Sequence, residues 1–152
     1  MSLNKVKKYF KEFDMDKKII ELETSSATVK DAAISLNTTE DEIAKTLSFQ
    51  IPEPILIVVS GESRIDNKKY KEEFKTKANM IKFDQVEEII GHAPGGVCPF
   101  AIKDNVKVYL DISLKKHKYV YPACGSGNSA IKLSIKELEK YSNYVKWIDV
   151  CK

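Results

Sequence analysis

The chain has 152 residues, 43% hydrophobic and 31% charged, with a formal net charge of +3. That length supports one domain, residues 1–152, around one sizeable core, and the mild charge does not by itself demand a nucleic-acid partner. Arg64 is the only arginine among 25 basic residues, which argues against base readout by bidentate arginines and leaves lysine contacts to a phosphate backbone open.

No apolar run approaches a membrane span, and the residues after Met1 lack the apolar stretch of a signal peptide, so no membrane partner is expected. Cys98, Cys124 and Cys151 are odd in number and irregular in spacing. That pattern fits a reducing cytoplasm better than a disulfide framework.

In chain order, Val6, Tyr9, Phe10 and Phe13 predict an amphipathic helix over 4–14. Lys17–Glu23 reads as a strand, and the polar turn 24–28 ends on Thr28, a cap for a helix carrying Val29, Ala32, Ala33 and Leu36. Thr39–Glu42 is a capping box expected to open a short helix that carries Ile43. Lys45–Gln50 alternates as a strand with Leu47 and Phe49 on its apolar face and Lys45 at its mouth. Ile55–Val59 is wholly apolar, hence a strand covered on both faces. Asp66 or Asn67 caps a helix with Tyr70 and Phe74. A short strand at 78–83 and a helix opened by Asp84 and ended by Gly91 follow.

Two glycine loops come next. Gly91–Phe100 holds three glycines and two prolines yet carries Val97, Cys98 and Phe100, a composition unlike a solvated linker. Between a strand at 106–110 and one at 130–133 lies the second loop, Gly125–Asn128. A third capping box, Ser134–Glu137, opens the last helix, and Tyr144–Val150 closes the chain as a strand. The intermingled elements and short late spacings predict one α/β domain with a mixed sheet.

Lys45 reads either as a solvated side chain or as a fixed positive charge at a pocket mouth. The loops read either as tight turns or as backbone N–H groups facing a ligand. Neither matches a Walker A loop or a dinucleotide fingerprint. His92, His117, Cys98 and Cys124 match no common metal spacing, and no metal or other cofactor is expected. Cys98 paired with His92 or His117 leaves a thiol-dependent hydrolase as one further reading.

Three stretches, Ile43–Phe49, Gly91–Phe100 and Tyr121–Ile131, resemble in order and spacing the YbaK/prolyl-tRNA-synthetase-associated domain, supported by Val59-Ser60-Gly61, Arg64-Ile65-Asp66 and Trp147–Val150. The resemblance implies a mixed, strongly bent sheet with flanking helices and a metal-free trans-editing hydrolase. Such an enzyme cleaves the ester between a wrong amino acid and the terminal adenosine of a tRNA. It implies Lys45 as the catalytic residue. Gly95, Gly96, Val97, Cys98, Pro99, Gly125, Ser126, Gly127 and Asn128 are the implied substrate-binding set. The expected substrate is the acceptor end of a Cys-, Ala-, Ser- or Thr-type aminoacyl-tRNA, with a synthetase as a possible partner and a monomer or homodimer as the working form. Ala130 and Ala123 stand where the cysteine-specific branch carries an aspartate and a serine, which points away from cysteinyl-tRNA. The reading from another functional class is a non-catalytic module that binds tRNA, a synthetase or a nucleotide through the same pocket.

Overall fold

The computed structural model describes residues 2–152. Helix α1, Ser2–Lys11, turns Val6 and Phe10 inward as the stripe predicts, but it ends before Phe13, which is exposed, and a 3₁₀ turn leads into β1, Ile19–Glu21. Helix α2, Val29–Leu36, starts where the Thr28 hydroxyl accepts the Asp31 N–H at 3.1 Å, and stops at Asn37 in the left-handed conformation.

The Thr39–Glu42 capping box forms, but it opens a 3₁₀ turn, not an α-helix, and Ile43 begins a strand. The reason is the ladder that follows. Strand β2, Ile43–Ile51, pairs antiparallel with β3, Glu53–Ser60, from Ala44 opposite Ser60 to Ile51 opposite Glu53. Eight paired positions outweigh one further helical turn. Along β3 the side chains alternate between two cores. Leu56 and Val58 face the larger one, with Phe10, Phe100 and Leu138, while Ile55, Ile57 and Val59 face a second beneath Tyr70.

Helix α3, Asn67–Phe74, is capped by Asp66 and brings Tyr70 to that second core. The expected strand at 78–83 reduces to a single bridge, Met80 opposite Phe49, flanked by hydrogen bonds from the Gln50 N–H to Asn79 and from the Ile81 N–H to Ser48. Phe83–Gln85 is a 3₁₀ turn, and α4, Val86–Ile90, follows without a cap from Asp84 before ending at Gly91, φ 107°.

Strand β4, Lys107–Asp111, pairs parallel with β3. Strand β5, Tyr119–Pro122, pairs parallel with β2 at Ile43 and Ala44. Strand β6, Ser129–Ile131, leaves the main sheet to pair antiparallel with β1, and β7, Leu133–Ser134, returns to β5. Helix α5, Ile135–Ser142, opens on the Ser134–Glu137 capping box, and β8, Lys146–Ile148, closes the sheet beside β4. The order is β7-β5-β2-β3-β4-β8, a curled, mixed six-stranded sheet with a separate β1–β6 pair, and the fold is mixed α and β as the sequence predicts. Among the described residues no helix is long and apolar enough to cross a membrane.

Candidate active site

A cleft of about 100 Å³ opens at the start of β2. Lys45 is among its lining residues, and many of the others are small. Ala44 comes from β2, Ala32 from α2, Ala27 from the segment before α2, Gly95 from the first glycine loop, and Ala123 and Ala130 from the chain on either side of the second. Alanine and glycine at these positions leave room only for a small group, and their backbones approach it closely.

Of the sequence-predicted site residues, the cleft brings together Lys45, Gly95 and Val97. Gly96, Cys98, Pro99, Gly125, Ser126, Gly127 and Asn128 are not on its walls. Gly96 packs against Gly125, whose N–H donates to the Gly96 carbonyl at 3.0 Å, and the Gly96 N–H donates to Ala93. These two donors are therefore spent within the protein. Pro99 lines a different hollow, beside Tyr9 and Tyr141.

The second glycine loop binds its own chain. The carbonyls of Gly127 and Asn128 accept the N–H groups of Ser26 and Leu22 at 2.6 and 2.7 Å, and the Asn128 amide donates to the Leu22 carbonyl. The Ser126 hydroxyl bonds Ser129 at 2.6 Å. The loop thus straps residues 22–28 across the site and delivers Ser26, Ala27 and Thr28 to the cleft, beyond the polar turn and helix cap that the sequence predicts for them. Their signal was weak because the contact joins positions about a hundred residues apart. A Cβ on Gly95 would meet Ala27 at 3.3 Å, so strap and first loop touch across the cleft.

Lys45 stands opposite Val59 in the β2–β3 ladder and is half-buried. Burial pushes its ammonium below the ordinary lysine range. The neighbouring Cys151 and Asp41 work the other way, and Arg64 adds to the lowering. Thr46, the next residue, has a buried hydroxyl with no partner among the described residues, although it lines the cleft. An unpaired buried hydroxyl is costly unless something else meets it. Asp41 accepts from Lys116 at 2.8 Å, His117 at 2.7 Å and the Glu62 N–H at 3.1 Å. This ties the turn after β3 to the turn before β2. Burial works to raise its carboxyl, but these hydrogen bonds prevail and hold it at about 2.

Cys98 and His92 do meet, Sγ to Nε2 at 3.5 Å, but in the core and not in the cleft. His92 Nε2 is 2.6 Å from the Phe100 carbonyl and must donate to it, so that nitrogen cannot accept the thiol proton. Burial raises the Cys98 thiol to about 12. The thiol-hydrolase reading therefore has neither a thiolate nor access for a substrate.

The family model for the aminoacyl-tRNA editing domain matches residues 23–141, a span that contains the cleft, the strap and both glycine loops. The chain belongs to this family. The chain is 47% identical to the uncharacterized protein YwhH of Bacillus subtilis (strain 168), over all of this chain and 98% of that one. It superposes with a TM-score of 0.88 on a solved structure described as a candidate trans-editing enzyme for prolyl tRNA synthetase. Identity there is 26%, covering 99% of this chain and 97% of that one. The hypothetical protein APE2540 is similar at 27% identity and a TM-score of 0.85, covering 97% and 99% of the two chains. The family read from the three sequence motifs is thus the family of the editing domain.

Proposed function

We propose that this editing domain is an aminoacyl-tRNA deacylase that hydrolyses the ester of a tRNA charged with a small amino acid of the Ala, Ser, Thr or Cys type. The observation that carries the reading is the cleft itself: a space of about 100 Å³ whose lining includes five alanines and Gly95 alongside Val29, Ile43, Val97 and Tyr121, with the half-buried Lys45 among them. An aminoacyl ester is already activated, so holding it in place and stabilising the developing oxyanion suffice for hydrolysis. Water attacks the ester carbonyl. The bond to the ribose oxygen breaks, the attacking water gives up a proton, and the leaving hydroxyl takes one. The Lys45 ammonium supplies the charge that meets the oxyanion, and Gly95 and Val97 restrict the acyl group. One methylene more or less is worth only about 1–3 kcal/mol in such a pocket, so the walls favour small side chains without absolute selectivity.

The tRNA acceptor end is the partner this reading requires. The description of the structural neighbour links it to prolyl tRNA synthetase, and a synthetase that mischarges tRNA with a smaller amino acid is the matching source of substrate here. Three free, buried cysteines fit a reducing, cytoplasmic setting.

The test is deacylation of a panel of tRNAs charged with Ala, Ser, Thr, Cys and Pro. Hydrolysis of at least one small aminoacyl ester, lost in Lys45→Ala, is the expected outcome. Binding without turnover across the whole panel would replace the enzyme with a recognition module.

A further inference from the structure

Beside the cleft lies a second hollow of about 290 Å³, against about 100 Å³ for the cleft. The two share Thr46, Pro94 and Val97 in their linings, so they adjoin along that wall as a depression with a narrow and a wide end. The wide end is apolar and carries Met80 and Phe83. These side chains are 57% and 80% exposed, among the most exposed large apolar groups in the protein, and they adjoin the cleft from the segment that bridges β2. Because both line one hollow beside the cleft, they form an exposed apolar patch rather than scattered single groups.

Resting on the deacylase reading, we infer that this shelf is the seat of the substrate's 3′-terminal nucleobase, stacked on Phe83 with Met80 beside it. The chemistry of the substrate fixes the order of groups along the depression. The amino acid is joined through its ester to a ribose, and the ribose to a flat base. The small end of the depression suits the acyl group and the large end the base. The ribose then falls at the shared wall, where the buried Thr46 hydroxyl has no partner among the described residues. Bases stack on aromatic faces without regard to sequence, and a thioether packs readily against a ring. This also lets a protein with one arginine bind its RNA at the terminus without reading base edges.

The experiment compares two substrates of the same amino acid, the aminoacyl-tRNA and the aminoacyl ethyl ester, which has no nucleoside. Phe83→Ala is expected to raise KM for the tRNA about tenfold with kcat preserved, to leave ethyl-ester hydrolysis unchanged, and to be rescued by Phe83→Tyr. An unchanged KM, or an equal loss on both substrates, overturns the stacking role. So does a wild-type dimer that Phe83→Ala converts to monomer at constant KM, since the shelf would then join two copies. Should the wild type hydrolyse neither substrate, the deacylase reading fails, and the shelf is judged by NMR titration with adenosine 5′-monophosphate. Shifts around Phe83 that vanish in Phe83→Ala support a base site, and their absence overturns it.

Discussion

Gly96 and Gly125 lie back to back: the Gly125 N–H donates to the Gly96 carbonyl at 3.0 Å, and a Cβ on Gly96 would stand 2.7 Å from the Gly125 carbonyl oxygen. It would be closer still to the Gly125 carbonyl carbon and the Ser126 nitrogen. The two glycine loops, 29 positions apart at this contact, are therefore one structural unit. They set the position of the cleft wall rather than each presenting a free backbone to a ligand.

The first prediction follows from that contact. Gly96→Ala must push one loop off the other, because every close neighbour of its new methyl is backbone and cannot rotate away. Overpacking of this kind costs about 1–3 kcal/mol or more. Gly127→Ala is the control, since its Cβ would meet Ala27 only at 3.6 Å, an ordinary contact. Thermal melts are expected to show a large drop for Gly96→Ala and a small one for Gly127→Ala.

The sequence carried more of the fold than of the site, and the difference is one of range. The unbroken apolar run at Ile55–Val59 and the caps at Thr28 and Ser134 are local signals, and the structure honours them, covering that strand on both faces. The Thr39–Glu42 box was legible as a cap, but a cap does not determine how long the helix behind it runs. That was decided by the pairing of Ile43 onward with β3 and β5. Gly125–Asn128 was legible as a special loop, but its partner is the strap at 22–26, and nothing in either segment names the other. Lys45 could be placed at a strand mouth. That Ala27, Ala32, Ala123 and Ala130 meet it across one cleft is a product of topology, and isolated alanines give no periodic signal.

The second prediction concerns the thiols. Cys98 and Cys124 are fully buried, and burial raises the first to about 12 and the second well above its usual range. Native protein is expected to be silent to iodoacetamide at neutral pH at both positions and to become reactive on unfolding. Cys98→Ala should keep deacylation within about twofold while losing about 1 kcal/mol of stability to the small cavity. Loss of activity at full stability in that variant would return Cys98 to the mechanism.

The third prediction is acid sensitivity through Asp41. Its carboxyl is held at about 2, against 3.8 for a free aspartate. A carboxyl lowered on folding contributes stability that is present above pH 3.8 and lost as pH falls through about 2. Lys116, one of its partners, is half in solvent, which weakens the effect to on the order of 1–2 kcal/mol. Asp41→Asn is expected to lower stability at pH 7 by that amount and to flatten the acid limb of the stability curve between about pH 4 and 2, as urea melts at stepped pH would record. An acid limb identical in the variant would remove Asp41 as its source.

The last prediction separates what Lys45 does for activity from what it costs the fold. Burial lowers its ammonium below the ordinary 10.5, with Cys151 and Asp41 opposing and Arg64 adding. A lysine whose pKa falls on folding is one whose charged form the native state disfavours. The fold is therefore less stable while Lys45 is charged, and the penalty lifts as pH rises through its lowered value. Activity has the opposite dependence if the cation meets the oxyanion. Deacylation should hold at neutral pH and fall as pH rises through that same value, at lower pH than for an ordinary lysine. Lys45→Ala is expected to reduce kcat by about 10²–10³-fold, the range for losing one oxyanion partner. Lys45→Met, which keeps the aliphatic stem without the charge, should be equally inactive yet no less stable than wild type at pH 7. Lys45→Arg retains a charge that does not titrate, so whatever activity it keeps should lack the alkaline fall once the uncatalysed rate is subtracted. The decisive measurement is kcat against pH for the four proteins beside their thermal melts. An inactive Lys45→Met that is also markedly destabilised would make Lys45 a structural residue instead.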